Sequence, residues 1–123
     1  MVVTHKSGRR KTGCTQAVLS FFGVSPDQYH YAEDRTTVKR VLRRAGFSVR
    51  SRASKFGIGA YLSVSIGQLR KQMAKKCGDP RKRYYVGVVG HAMVLDGTGR
   101  TVCDTSPRKR DARKVTHISL VEI

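Results

Sequence analysis

Three side chains in this sequence have the types and placement for nucleophilic chemistry: Cys14, His91 and Asp104. The last two frame a β-hairpin. Its first arm reads Gly90-His91-Ala92-Met93-Val94-Leu95, the connection Asp96-Gly97-Thr98-Gly99, and the return arm Arg100-Thr101-Val102-Cys103-Asp104. A two-residue turn at Gly97-Thr98, which a glycine at the first central position favours, pairs residues whose numbers sum to 195. That register sets His91 opposite Asp104, Met93 opposite Val102 and Leu95 opposite Arg100. Directly opposed side chains share a face with Cβ atoms about 5 Å apart, close enough for a carboxylate to hold an imidazole. A three-residue loop would move the pairing by one and send the two to opposite faces. Cys14 is expected near the start of a helix, where the positive end of the macrodipole favours a thiolate and Arg10 and Lys11 push the same way. Gly13 before it leaves room for a substrate backbone. A thiol, an imidazole and an orienting carboxylate are the parts of an acyl-transfer triad.

The elements that must hold these residues follow from the apolar pattern. A first helix begins around Thr12 to Cys14 and runs to Phe22, with Val18, Phe21 and Phe22 as a stripe and Gly23 as its stop. A second helix spans 34–45. Val38, Val41, Leu42 and Ala45 face inward, Lys39, Arg40, Arg43 and Arg44 face outward, and Gly46 ends it, with Phe47 folding back. A strand at 47–50 and a long loop over 51–63 follow. Ser65 caps a third helix whose stripe is Ile66, Leu69 and Met73, ending near Gly78-Asp79-Pro80. Arg83 to Leu95 reads as one long strand of β-formers, 100–105 as its hairpin partner, and Val115 to Ile123 as a closing strand. The class is α+β: N-terminal helices packed on a small antiparallel sheet, in a single domain over 1–123 with a basic lead-in at 1–13.

Charge is the chain's largest departure from an average composition. Lys and Arg number 25 against 8 Asp and Glu, a formal net charge of +17. Such an excess repels itself and attracts polyanions, nucleic acid above all. The basic segments flanking the chemistry, Arg9, Arg10 and Lys11 on one side and Arg108, Lys109 and Arg110 on the other, are the candidate contacts to a nucleic acid or a nucleic-acid-rich particle. Three cysteines cannot form a complete disulfide framework, and neither CxxC nor HxxxH occurs, so no metal site and no cofactor is expected. His5, His30 and His117 lack neighbouring ligands, Cys77 reads as an exposed thiol, and Cys103 alternates away from Asp104. Nothing approaches the ~20 apolar residues of a membrane span, and Met1 to Lys6 holds no apolar signal core. These features point to a reduced intracellular setting, in a host cytoplasm or packaged within a virion, with no membrane partner.

The order helical Cys, strand His, next-strand Asp resembles the papain-like cysteine peptidase superfamily. The likeness is greatest to the small single-domain papain-like proteins of tailed bacteriophages. It is carried by Gly13-Cys14-Thr15-Gln16-Ala17, Ser65-Ile66-Gly67-Gln68-Leu69, the strand from Tyr85 to His91, Val94-Leu95-Asp96-Gly97 and Val102-Cys103-Asp104-Thr105. The resemblance implies a nucleophile helix packed on an antiparallel sheet, with Cys14 as nucleophile, His91 as general base and acid, and Asp104 as its orienter. It implies a cysteine hydrolase, a peptidase or amidase, acting on a protein or peptide. The superfamily's oxyanion Gln, about six residues before the cysteine, is here Gly8, and no Gln precedes Cys14. The backbone N–H of Cys14 is left to supply one oxyanion donor, and Lys6, Lys11 or His5 a second. The competing expectation is a basic nucleic-acid- or particle-binding protein on the same scaffold, with a vestigial triad.

Overall fold

Burial alternates along the C-terminal strands on two faces, not one, and this determines the architecture. The computed structural model describes residues 13–24, 35–58, 64–89, 91–105 and 112–123. Its elements are α1 (Gly13–Phe21), α2 (Arg35–Arg44), β1 (Ser48–Ser51), α3 (Ile66–Lys76), β2 (Arg83–Val88), β3 (His91–Asp96), β4 (Thr101–Cys103) and β5 (Val115–Glu122). The strands form one antiparallel sheet in the order β1-β5-β2-β3-β4, and the fold is α+β. Tyr85, Ala92, Val94, Cys103 and Val121 pack beneath α1 and α2. Tyr84, Val86, Met93, Leu95, Ile118 and Leu120 pack beneath α3 and Phe56. Central strands covered on both sides read as nearly unbroken apolar runs, as Tyr84 to Val88 does.

The helices form because the sheet needs covering. At 10 and 11 residues, α2 and α3 are too short to persist alone in water. Leu42 in α2 and Leu69 and Met73 in α3 are fully buried, each stabilising by roughly 1.5–3 kcal/mol on burial. Ser65 caps α3 as its composition predicts: its hydroxyl accepts from Gln68 N–H at 3.2 Å while Gln68 Oε1 accepts from Ser65 N–H at 2.9 Å. At the end of α2, Gly46 takes φ 102° and Phe47 N–H donates to Leu42 O at 3.1 Å. Phe47 then meets Phe22 edge-on with ring centroids 5.5 Å apart, joining the ends of the first two helices.

The expected single strand from Arg83 to Leu95 is two strands. Val88 pairs with His91, so β2 and β3 form their own antiparallel pair. Strand propensity sums over both arms and does not register a reversal between them. The long loop expected over 51–63 is, in its described part, a turn over 53–57 that delivers Phe56 to the core, where it packs edge-on against Tyr84.

Candidate active site

His91 and Asp104 are brought together by a hairpin whose register differs from the simple expectation twice. Asp96 N–H donates to Arg100 O at 2.8 Å and Gly99 N–H to Asp96 O at 3.0 Å, so the loop has three residues, 97–99. Gly99, at φ 89°, takes the left-handed position that this loop demands. The Asp96 carboxylate fixes the turn from inside, accepting from Thr98 N–H at 2.8 Å, the Thr98 hydroxyl at 2.5 Å and Arg100 N–H at 3.1 Å. Burial pushes this carboxyl up, but the Thr98 and Arg100 donors outweigh it and hold Asp96 below the usual carboxylate range. The first consequence is that Leu95 pairs with Thr101 rather than Arg100.

A bulge then adds a second slip. Val94 pairs with Cys103, so one extra residue, Val102, is accommodated in β4. Met93 therefore does not oppose Val102, and His91 does not directly oppose Asp104. Two slips of one residue restore the parity that one would have destroyed. Carried one step on, the register puts Asp104 opposite Met93, one diagonal step from His91 and on the same face. Diagonal neighbours stand ~7–8 Å apart, a gap that an imidazole and a carboxylate can span. The imidazole Nε2 lies 2.6 Å from Asp104 Oδ1. Both side chains are largely buried, with 7% and 15% exposed. An ionised carboxylate accepts only, so it selects the tautomer with hydrogen on Nε2 and leaves Nδ1 as the basic nitrogen.

Neighbouring elements hold this hairpin in place. Arg70 of α3 donates to Gly99 O at 2.6 Å and to the Thr101 hydroxyl at 2.9 Å, clamping the turn. At the other end, Arg113 Nη1 donates to Val89 O at 2.9 Å, and Val89 N–H to Lys114 O at 3.3 Å. Arg113 and Lys114 are exposed and hold the chain two residues before His91. Sequence reasoning missed both clamps; Arg70 is one arginine among many, and no local pattern marks its distant partner.

The three cysteines fall in different places. Cys14 lies in the first turn of α1, a helix with no acidic residue in that turn. Its side chain lies outside the described residues, as do Gly8, Arg9, Arg10, Lys11, Arg108, Lys109 and Arg110. Cys103 faces away from Asp104, its thiol 3.6 Å from Ala17 O in α1. Burial, aided by the nearby Asp104 charge, pushes the Cys103 thiol up, which keeps it protonated and inert. The same contact puts α1 beside the end of β4: Cys14 precedes Ala17 by three residues, about one helical turn. Cys77, expected as an exposed thiol, is half-buried at the C-cap of α3, where it accepts from the Tyr84 hydroxyl at 3.5 Å. It sits against Gly97, at the far end of β3 from His91, about 20 Å of strand away.

His117 lies on the sheet face that carries Tyr85, with ring centroids 4.7 Å apart, and its imidazole covers Gly87, where any side chain would collide with it. Among the described residues no group of three metal-ligating side chains forms, and no helix is long and apolar enough to cross a membrane. No known protein family, characterised protein or solved structure matches the chain.

Proposed function

We propose that the protein is a papain-like cysteine hydrolase that cleaves a peptide or isopeptide amide through a thioester on Cys14. The single observation that carries this reading is the 2.6 Å contact between His91 Nε2 and Asp104 Oδ1, formed by two largely buried side chains at one end of the sheet. An imidazole so held has one basic nitrogen, Nδ1, in a fixed direction, which is what a general base needs. Cys14 is the nucleophile by chemistry and by exclusion. Cys103 is buried on the other side of β4 and held protonated, and Cys77 is a strand's length away. The reading also sets a geometric requirement. His91 alternates with Met93 and Leu95, which face α3, whereas α1 covers Ala92, Val94 and Cys103. The thiol must therefore meet the imidazole around the rim of the sheet, where β3 begins and β4 ends.

In the reaction, the Cys14 proton passes to His91 Nδ1 and the sulfur attacks the amide carbonyl. The imidazolium, stabilised by Asp104, then gives that proton to the departing amine, leaving the acyl thioester. Water, activated by the same nitrogen, hydrolyses the thioester and restores the thiol. The backbone N–H of Cys14 is one oxyanion donor. With Gly8 at the position of the usual Gln, a second donor must come from elsewhere, and each missing donor costs ~10²–10³ in rate.

Alkylation of Cys14 tests this without a known substrate. Iodoacetamide near neutral pH, followed residue by residue by mass spectrometry, should label Cys14 at least about tenfold faster in the wild type than in His91→Ala. Asp104→Ala should fall between the two. Labelling of Cys14 at the same rate with and without His91 removes the catalytic pair from the argument.

A further inference from the structure

We infer that the outer faces of α2 and α3 are two separate docking surfaces for double-stranded nucleic acid, on opposite sides of the sheet, so that one chain bridges two duplex segments. The inference is independent of the hydrolase reading. In α2, Val38, Val41 and Leu42 are buried against the sheet, and Arg40 and Arg44, four apart, are exposed on the side turned away from it. In α3, Ile66, Leu69 and Met73 are buried and Lys71 and Lys75, again four apart, are exposed on the outer side. The two helices belong to different cores, α2 to the one containing Tyr85 and α3 to the one containing Tyr84, and those neighbours in β2 point to opposite faces. The cations of α2 and α3 therefore look in opposite directions.

Among the described residues no salt bridge engages Arg40, Arg44, Lys71 or Lys75. Neither Arg35–Arg44 nor Ile66–Lys76 contains an acidic residue. The acids among the described residues are Asp79, Asp96, Asp104 and Glu122, and each is engaged elsewhere. Asp79 binds Arg81, Asp96 the hairpin turn, Asp104 His91, and Glu122 both Lys82 and Arg50. A sheet with a helical layer on each side is about 30 Å thick, whereas the Debye length at physiological salt is ~8 Å. A polyanion bound on one face thus leaves the attraction of the other intact.

The chemistry of these faces selects the partner. Among the described residues the exposed large apolar side chains are Val89 and Ile123, and neither lies on α2 or α3. A protein partner would find no buried anchor there, and an unpaired strand no aromatic ring on which to stack its bases. What remains is charge, which suits the regularly spaced phosphates of a duplex and reads no sequence.

Titration of the full-length chain with a labelled duplex of about 20 bp at about 50 mM salt, together with pelleting of DNA of about 200 bp, tests this. The wild type should bind two short duplexes and pellet the long DNA, with both effects reversed by salt. Lys71→Glu with Lys75→Glu should halve the stoichiometry and abolish pelleting, while the remaining site keeps its affinity within about threefold. Arg40→Glu with Arg44→Glu should do the same, and the four changes together should weaken binding at least about tenfold beyond either pair. The corresponding Gln variants, which remove charge without reversing it, separate lost contact from repulsion, and a melting curve on each variant confirms that it is folded. One duplex per wild-type chain, or undiminished pelleting by either single-face variant, would overturn the inference.

Discussion

Replacing Gly99 with alanine is the sharpest test of how the His91–Asp104 hairpin is built. Two costs combine at this position. At φ 89° an L side chain is strained by roughly 1–2 kcal/mol. In addition, a Cβ at residue 99 would stand 2.7 Å from the backbone oxygen of Arg70 and 2.9 Å from its Cα. These are main-chain atoms of α3, so relief requires the turn to move away from the helix by several tenths of an ångström. Forced overpacking of this kind costs about 1–3 kcal/mol. Together the terms predict a loss of about 2–5 kcal/mol. For 123 residues the unfolding entropy is about 0.26 kcal/mol/K, which makes the expected fall in Tm roughly 8–19 °C. Gly57→Ala is the control, because φ is 77° there and no atom lies within 4 Å of the added Cβ. It should carry the strain alone, a fall of roughly 4–8 °C. Calorimetry on the two variants measures the difference directly. Should Gly99→Ala melt no lower than Gly57→Ala, the close packing of the turn on α3 is refuted.

Two other effects follow from the same contacts. Asp96 is held below the usual carboxylate range in the folded chain, so the stability it contributes is complete above that range and drains away as the pH falls through its lowered pKa. Asp96→Asn keeps the accepting oxygen but loses the charge; urea midpoints at pH 7 and pH 3 should show a smaller acid-induced drop for the variant than for the wild type. Ser65→Ala removes the hydroxyl of the capping box and should cost about 0.5–2 kcal/mol in urea denaturation, whereas a change at the exposed Ala74, on the same helix, should cost little.

Local signals in the sequence were sufficient for the helices. Ser65 with Gln68, and the stripe Ile66, Leu69 and Met73, specify α3 because capping and a 3.6-residue period are both short-range properties. Gly46 marks the end of α2 for the same reason. What sequence pattern misses is long-range. The unbroken run Tyr84-Tyr85-Val86 signals two-sided burial of β2, but which helix covers which face depends on contacts distant in the chain and leaves no local mark. The reversal between β2 and β3 leaves no mark because Val86, Val88 and Val89 before it and Val94 after it are all good strand residues. The clamps from Arg70 and Arg113 depend on partners 29 and 24 residues away, and no spacing rule reaches that far.

The site itself shows what a register argument is worth. Side chains in a strand alternate with period two, so what decides whether two residues share a face is the parity of the slip between them and not its size. An expectation of direct opposition failed in both its turn and its ladder, since the loop has three residues and β4 carries a bulge. Each departure alone would have turned Asp104 to the opposite face from His91. Because both occur within five residues of the turn, the pair survives as diagonal neighbours, joined at 2.6 Å. The bulge is therefore more than an irregularity at a sheet edge. Gly99 and Asp96 require the three-residue loop, and the extra residue in β4 is what lets that loop coexist with a held imidazole. Deleting one residue from the loop without also removing the bulge would separate the two side chains, although either hairpin would look equally regular.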